Sequence, residues 1–89
     1  MLRPVFTTRF KKDLKMMQKR GANIEKFKQI ATKLITLERL QEKHYDHRLS
    51  GNFEGRRECH IEPDWLMIYK LEESMIIFER TGTHSDLFS

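Results

Sequence analysis

Residues 53–83, FEGRRECHIEPDWLMIYKLEESMIIFERTGT, decide the fold. From Phe53 the side chains alternate: Phe53, Gly55, Arg57, Cys59 and Ile61 fall on one face, and Glu54, Arg56, Glu58, His60 and Glu62 on the other. A two-residue period of this kind belongs to a β-strand with one covered face. Pro63-Asp64 interrupts it as a turn does. Trp65 to Leu71 is almost wholly apolar, the pattern of a strand covered on both sides. Glu72-Glu73-Ser74 makes a second turn, and Met75 to Thr83 is a third strand. Strands joined by turns this short pair antiparallel, so residues of about 53–84 form a three-stranded meander.

Upstream the period changes. Leu2 to Phe6 is a short apolar run containing Pro4, which suits an edge strand. Thr7 or Thr8 can cap a helix whose apolar positions are Phe10, Leu14 and Met17. Lys19-Arg20 followed by Gly21 is a C-terminal stop, with cations at the negative end of the helix dipole. Asn23 can cap a second helix, with Ile24, Phe27, Ala31, Leu34 and Leu37 on one stripe. The predicted helical hairpin covers about residues 8–39. Residues 41–52, QEKHYDHRLSGN, are polar and aperiodic, and a loop of that length implies a functional reason. The predicted order is βααβββ. This is an α+β fold, a small antiparallel twisted sheet with the helical hairpin packed on one face, in a single domain over 1–89.

Composition bounds the function. At 89 residues, 38% hydrophobic and 34% charged, the chain can build one small core and does not read as disordered. No apolar stretch approaches the ~20 residues that span a bilayer. The start, MLRPVFTTRF, lacks the apolar core of a secretory signal, and the single Cys59 excludes an internal disulfide. A cytoplasmic compartment is expected. Residues 1–50 hold 13 Lys and Arg against 5 Asp and Glu, whereas residues 51–89 hold 4 against 8. A basic half attracts polyanions, because neutralising phosphates releases counterions, although cations also simply solvate helices.

The last strand carries an arginine where a buried face is expected. In simple alternation Arg80 follows Ile76 and Phe78, so it must meet a carboxylate such as Glu58 or Glu79, or a ligand. His60 and Glu58 share a face of the preceding hairpin, His47 lies in the polar loop, and His84 follows the last strand. Imidazoles that titrate near neutrality and an arginine that grips phosphate are what RNA cleavage by its own 2′-hydroxyl requires. That reaction needs no metal. The rival use of the same side chains is a zinc site of His44, His47 and His60.

The strings Tyr45-Asp46-His47-Arg48-Leu49-Ser50-Gly51, Gly55-Arg56-Arg57-Glu58-Cys59-His60-Ile61-Glu62-Pro63-Asp64-Trp65, Ile68-Tyr69-Lys70 and Phe78-Glu79-Arg80-Thr81-Gly82-Thr83-His84-Ser85-Asp86-Leu87-Phe88 closely resemble the YafQ-type branch of the RelE/ParE toxin superfamily. Order and spacing match from about residue 45 onward, and the helical hairpin fits the RelE-like architecture.

The resemblance implies the toxin of a bacterial type II toxin–antitoxin pair, a ribosome-dependent endoribonuclease that cuts mRNA in the A site. It implies a small dimeric, DNA-binding cognate antitoxin, with operator DNA reached only through that complex. The family's active site falls on His47, Glu58, His60, Asp64, Trp65, Arg80, His84 and Phe88. His84 matches the proton donor, His47 or Asp64 the base, and Arg80 the phosphate-stabilising arginine. Trp65, Phe88 and Arg56 are expected at the substrate, and Lys11, Lys12 and Lys15 on rRNA. No cofactor, metal or membrane partner is expected. Glu58 stands where the family commonly has Asp, and Arg48 where Pro often follows the loop histidine. Two other classes stay open: a superfamily toxin acting on DNA gyrase, and an inactive RNA- or ribosome-binding module. The histidines favour the nuclease.

Overall fold

The computed structural model describes residues 1–89. The elements run β1 (Arg3–Phe6), α1 (Thr8–Lys19), α2 (Ile24–Ile35), β2 (His47–Arg48), β3 (Arg57–Glu62), β4 (Trp65–Leu71), β5 (Met75–Gly82) and α3 (His84–Phe88). Thr7 caps α1 by accepting from the Phe10 N–H at 3.0 Å, and Asn23 caps α2 by accepting from Glu25 N–H at 3.0 Å. Gly21 takes φ +94° just after α1, where a side chain would be strained.

Both helices lie on one face of a five-stranded sheet ordered β1-β5-β4-β3-β2. The core between them holds Phe10, Phe27, Phe78, Met67 and Tyr69, with Phe6 packed against it. The rings of Phe6, Phe10, Phe27 and Phe78 sit with centroids 5.0–6.4 Å apart, close enough to add edge and stacking contacts to plain burial. Cys59 lies in the same core, and burial pushes its thiol pKa up.

Several features differ from the sequence reading, among them a short helix α3 after a last strand that stops at Gly82. The sheet is mixed, because β1 pairs β5 in parallel. The first and last strands are not joined by a turn, so no hairpin forces them antiparallel. Leu37 does not continue the α2 stripe: the helix ends at Ile35, and Leu37 is 67% exposed at φ +63°, with Ile30 buried instead. The polar stretch 41–52 is ordered, with 3₁₀ turns at Glu42–His44 and Gly51–Phe53 on either side of β2. The meander begins at Arg57 rather than Phe53, since Gly55 at φ +87° turns the chain before the strand.

A bulge in β5 decides the site. Ile68 stands opposite Arg80 and Tyr69 opposite Phe78, so Glu79 is an extra residue in that strand. A bulge of this kind re-aims the side chains beyond it. Phe78 faces the helices, while Arg80 stands in register with Ile68 of the opposite face and its guanidinium reaches Asp13 of α1 at the outer edge of β5. Simple alternation placed Arg80 on the Phe78 face; the bulge corrects that.

Candidate active site

Register places one row of side chains across four strands: His47 opposite Glu58, Glu58 opposite Ile68, and Ile68 opposite Arg80. Directly opposed residues share a face, so this row lies on the side away from α1 and α2. A second row runs His60, Leu66, Gly82, and leads into α3. At the centre of the two rows Leu66 and Ile68 join Leu87 in a small separate core, flanked by Leu49 and Phe53.

Glu58 is the hub. It is 5% exposed, and its Oε1 faces His47 Nε2 at 3.5 Å and His60 Nε2 at 3.6 Å. Its Oε2 is buried without a hydrogen-bond partner. His47 Nδ1 lies 2.7 Å from the Tyr45 carbonyl and His60 Nδ1 lies 3.1 Å from the Pro63 carbonyl. Each Nδ1 therefore carries a proton and donates it to a carbonyl, which leaves Nε2 as the nitrogen that can exchange a proton beside the carboxylate. His44 is bonded elsewhere, through Nδ1 to the His60 carbonyl at 2.7 Å.

The loop that carries His47 is pinned from the helix side. The buried Tyr69 hydroxyl donates to Asp46 Oδ1 at 2.5 Å, and Arg57 donates to the same oxygen at 3.3 Å and to the Asp46 carbonyl at 3.4 Å. Burial and the Asp46 carboxylate push the Tyr69 hydroxyl pKa up. Tyr45 takes φ +41°, and its ring stacks on His47 with centroids 4.1 Å apart.

Arg80 is held by Asp13 of α1, with Nε donating to Oδ2 at 2.7 Å. Neither Glu58 nor Glu79, the partners that the sequence suggests, takes that role; Glu79 accepts from Arg56 Nε at 2.8 Å. That pairing neutralises Arg56, which also donates to the Glu54 carbonyl at 3.3 Å. Sequence reasoning missed Asp13, although a lone acid in a run of cations beside the Phe10–Leu14–Met17 stripe is a legible signal.

α3 brings the last histidine. Thr83 and Asp86 form a capping box, and Arg20 clamps Asp86 with bonds of 2.7 and 3.3 Å. Those bonds from Arg20 hold the Asp86 carboxyl well below the usual carboxylate range. A Cβ at Gly82 would come within 3.0 Å of the Asp86 side chain, so the close approach of α3 to β5 requires glycine. His84 is exposed, with no hydrogen bond to its ring from the protein, and lies 5.0 Å from the Phe88 ring. Phe88 meets Phe53 edge-on at 5.6 Å. Asp64 Oδ1 accepts the His84 backbone N–H at 3.0 Å and so ties this helix to the β3–β4 turn.

Trp65 is corrected. It is 3% exposed, and its indole N–H donates to Thr81 Oγ1 at 2.9 Å, so it has no free face on which a base could stack. Lys11, Lys12 and Lys15 are exposed on α1. No three His, Cys, Asp or Glu side chains converge with the geometry of a metal site, so the zinc arrangement of His44, His47 and His60 does not fit.

Fold and site together define a small α+β domain with two histidines around a buried carboxylate, and an arginine and a third histidine beyond. Residues 2–89 match the family described as the bacterial toxin of type II toxin–antitoxin system, YafQ. The chain belongs to that family. It is 45% identical over 85 residues to the mRNA interferase toxin YafQ of Escherichia coli K12, covering 93% of this chain and 91% of that protein. The crystal structure of the E. coli DinJ–YafQ complex matches with a TM-score of 0.92 at 40% identity, over the full length of both chains. A metal-bound toxin from Helicobacter pylori matches with a TM-score of 0.92 at 36% identity, over 99% of this chain and all of that one.

Proposed function

We propose that this chain is an mRNA interferase, the toxin of a type II toxin–antitoxin pair, and that it cuts mRNA in the ribosomal A site by acid–base catalysis without a metal. The row His47–Glu58–Ile68–Arg80, with His84 delivered by α3, is the observation that carries the reading. His47 Nε2 takes the 2′-hydroxyl proton, and the buried Glu58 carboxylate stabilises the imidazolium that forms. The 2′-oxygen attacks phosphorus, and the bond to the 5′-oxygen breaks. His84 gives that oxygen its proton, leaving a 2′,3′-cyclic phosphate and a 5′-hydroxyl. Arg80, whose terminal nitrogens make no hydrogen bond within the protein, faces the phosphorane charge.

His60 shares Glu58 with His47 and is the second histidine of the hub. Asp64 Oδ1 accepts the His84 N–H and so supports α3, while Oδ2 makes no hydrogen bond within the protein and keeps Asp64 as the second candidate for the base. Phe88 with Phe53 offers an aromatic wall for a base. The relative from H. pylori is metal-bound, but the donor set here does not converge as a metal site, and side chains supply the base, the acid and the phosphate clamp.

The partners follow from the same reading. They are a cognate antitoxin, as in the DinJ–YafQ complex, and the ribosome with its mRNA. No helix is long and apolar enough to cross a membrane. A protein that acts on ribosomes works in the cytoplasm.

Purified protein mixed with programmed ribosomes should cut the mRNA, leave cyclic-phosphate ends, and spare free mRNA. His84→Ala should lose ~10²–10⁴ in rate while melting like wild type. Inhibition of gyrase supercoiling with no cleavage of ribosome-bound mRNA would transfer the protein to the other superfamily class.

A further inference from the structure

The Asp13 carboxylate is placed where the sheet leaves a backbone edge open. β1 ends at Phe6, opposite Phe78, so β5 has no strand partner beyond that point on its outer side. α1 fills the gap: Thr7 Oγ1 donates to the Glu79 carbonyl at 3.1 Å, and Asp13 Oδ2 accepts the Thr81 N–H at 3.2 Å. The same oxygen takes Arg80 Nε at 2.7 Å, while Oδ1 faces Arg9 Nε at 3.4 Å. The Asp13 side chain is 12% exposed, so this is a half-enclosed, charge-assisted pairing rather than a solvated surface one.

An arginine held through Nε keeps both terminal nitrogens for another ligand. It also loses the rotamer freedom that a long side chain otherwise surrenders on binding. A cavity of about 140 Å³ opens beside the pair, lined by Arg9, Asp13, Met16, Arg80 and Asp86 among others. We propose that Asp13 is the positioning residue of Arg80, a carboxylate on α1 that fixes the guanidinium so that its two free nitrogens meet the phosphate at the bond being cut. The inference rests on the nuclease reading above, since it concerns the group that Arg80 grips. It also gives the helical hairpin a part in the chemistry, not only in the core.

The test is a double-mutant cycle in single-turnover cleavage on programmed ribosomes. Asp13→Asn keeps an oxygen for the Thr81 N–H but removes the negative charge that Arg80 pairs with. It should slow cleavage by about 10²-fold, the scale of a ~1 Å misplacement of a reacting group, and leave ribosome affinity unchanged. In an Arg80→Lys background the same change should cost nothing further, because the group it acts through is gone. An equal loss in both backgrounds, or a rate at or above wild type, overturns the inference while leaving the nuclease reading intact. Wild type that does not cleave overturns both. If Asp13→Asn does not fold, the Arg80 Nε–H resonance of wild type decides. A slowly exchanging, downfield-shifted signal supports the tether, and a signal averaged with solvent refutes it.

Discussion

Tyr69→Phe removes one oxygen from the core and should loosen the loop that carries His47. The ring is 1% exposed and keeps its packing in the variant, so the change isolates the hydrogen bond to Asp46. A hydrogen bond to a charged group contributes ~1.5–3 kcal/mol, and Arg57 remains on Asp46 in the variant, which favours the lower part of that range. Unfolding entropy near 60 °C is ~2.1 cal/mol/K per residue, or roughly 190 cal/mol/K for 89 residues, so ~2 kcal/mol lowers Tm by about 10 °C. The effect has a pH signature. A hydroxyl whose pKa is raised in the folded state contributes stability that is full below its unfolded pKa of about 10 and fades as pH rises through the folded value. Wild type should therefore lose stability above about pH 10 more steeply than the Phe variant. Calorimetry from pH 7 to 11, with amide exchange of residues 45–48, measures both. A Tm drop below ~2 °C with unchanged exchange at those amides would refute the clamp.

Lys11→Ala with Lys12→Ala and Lys15→Ala should weaken ribosome binding without changing the cleavage step. The log–log salt slope should fall by roughly one unit for each phosphate that is no longer neutralised. An affinity and slope equal to wild type across a salt series would move the rRNA-binding face elsewhere. Asp86→Asn should flatten the acid limb of the stability curve. The lowered Asp86 pKa contributes stability present above the unfolded value of about 3.9 and lost as pH falls through the folded one, so denaturation from pH 6 to 2 reads the difference. Elemental analysis of the purified protein should find no stoichiometric metal. One equivalent of zinc or copper per chain would overturn the metal-free reaction.

Periodicity carried much of the architecture. The Phe10–Leu14–Met17 spacing, the Thr7 and Asn23 caps and the stop at Gly21 all depend on neighbours within a turn, and all hold. What the sequence concealed is non-local. The parallel pairing of β1 with β5 leaves no turn signal to read. The bulge at Glu79 is invisible in an alternating pattern, yet it decides which face Arg80 occupies. Trp65 suits stacking as well as it suits the core until its N–H is seen to meet Thr81. The α3 capping box is different: Thr83 and Asp86 stand three apart, a local helix-start pattern masked by the apparent continuation of the strand.

The pairing of Arg3 with Met75 also governs when such an enzyme can exist during its own synthesis. β5 is flanked by β1 and β4 and carries Arg80, so neither the sheet nor the arginine is in place until residues 75–82 have been made. A nascent fragment that ends before residue 75 has β1 without its neighbour and His47 without its arginine. Long-range closure of this kind slows folding, because the loop must be brought together before its pairings reward it. For the mRNA interferase proposed above, late closure means that the ribosome translating it faces no active product until β5 has been made and paired with β1.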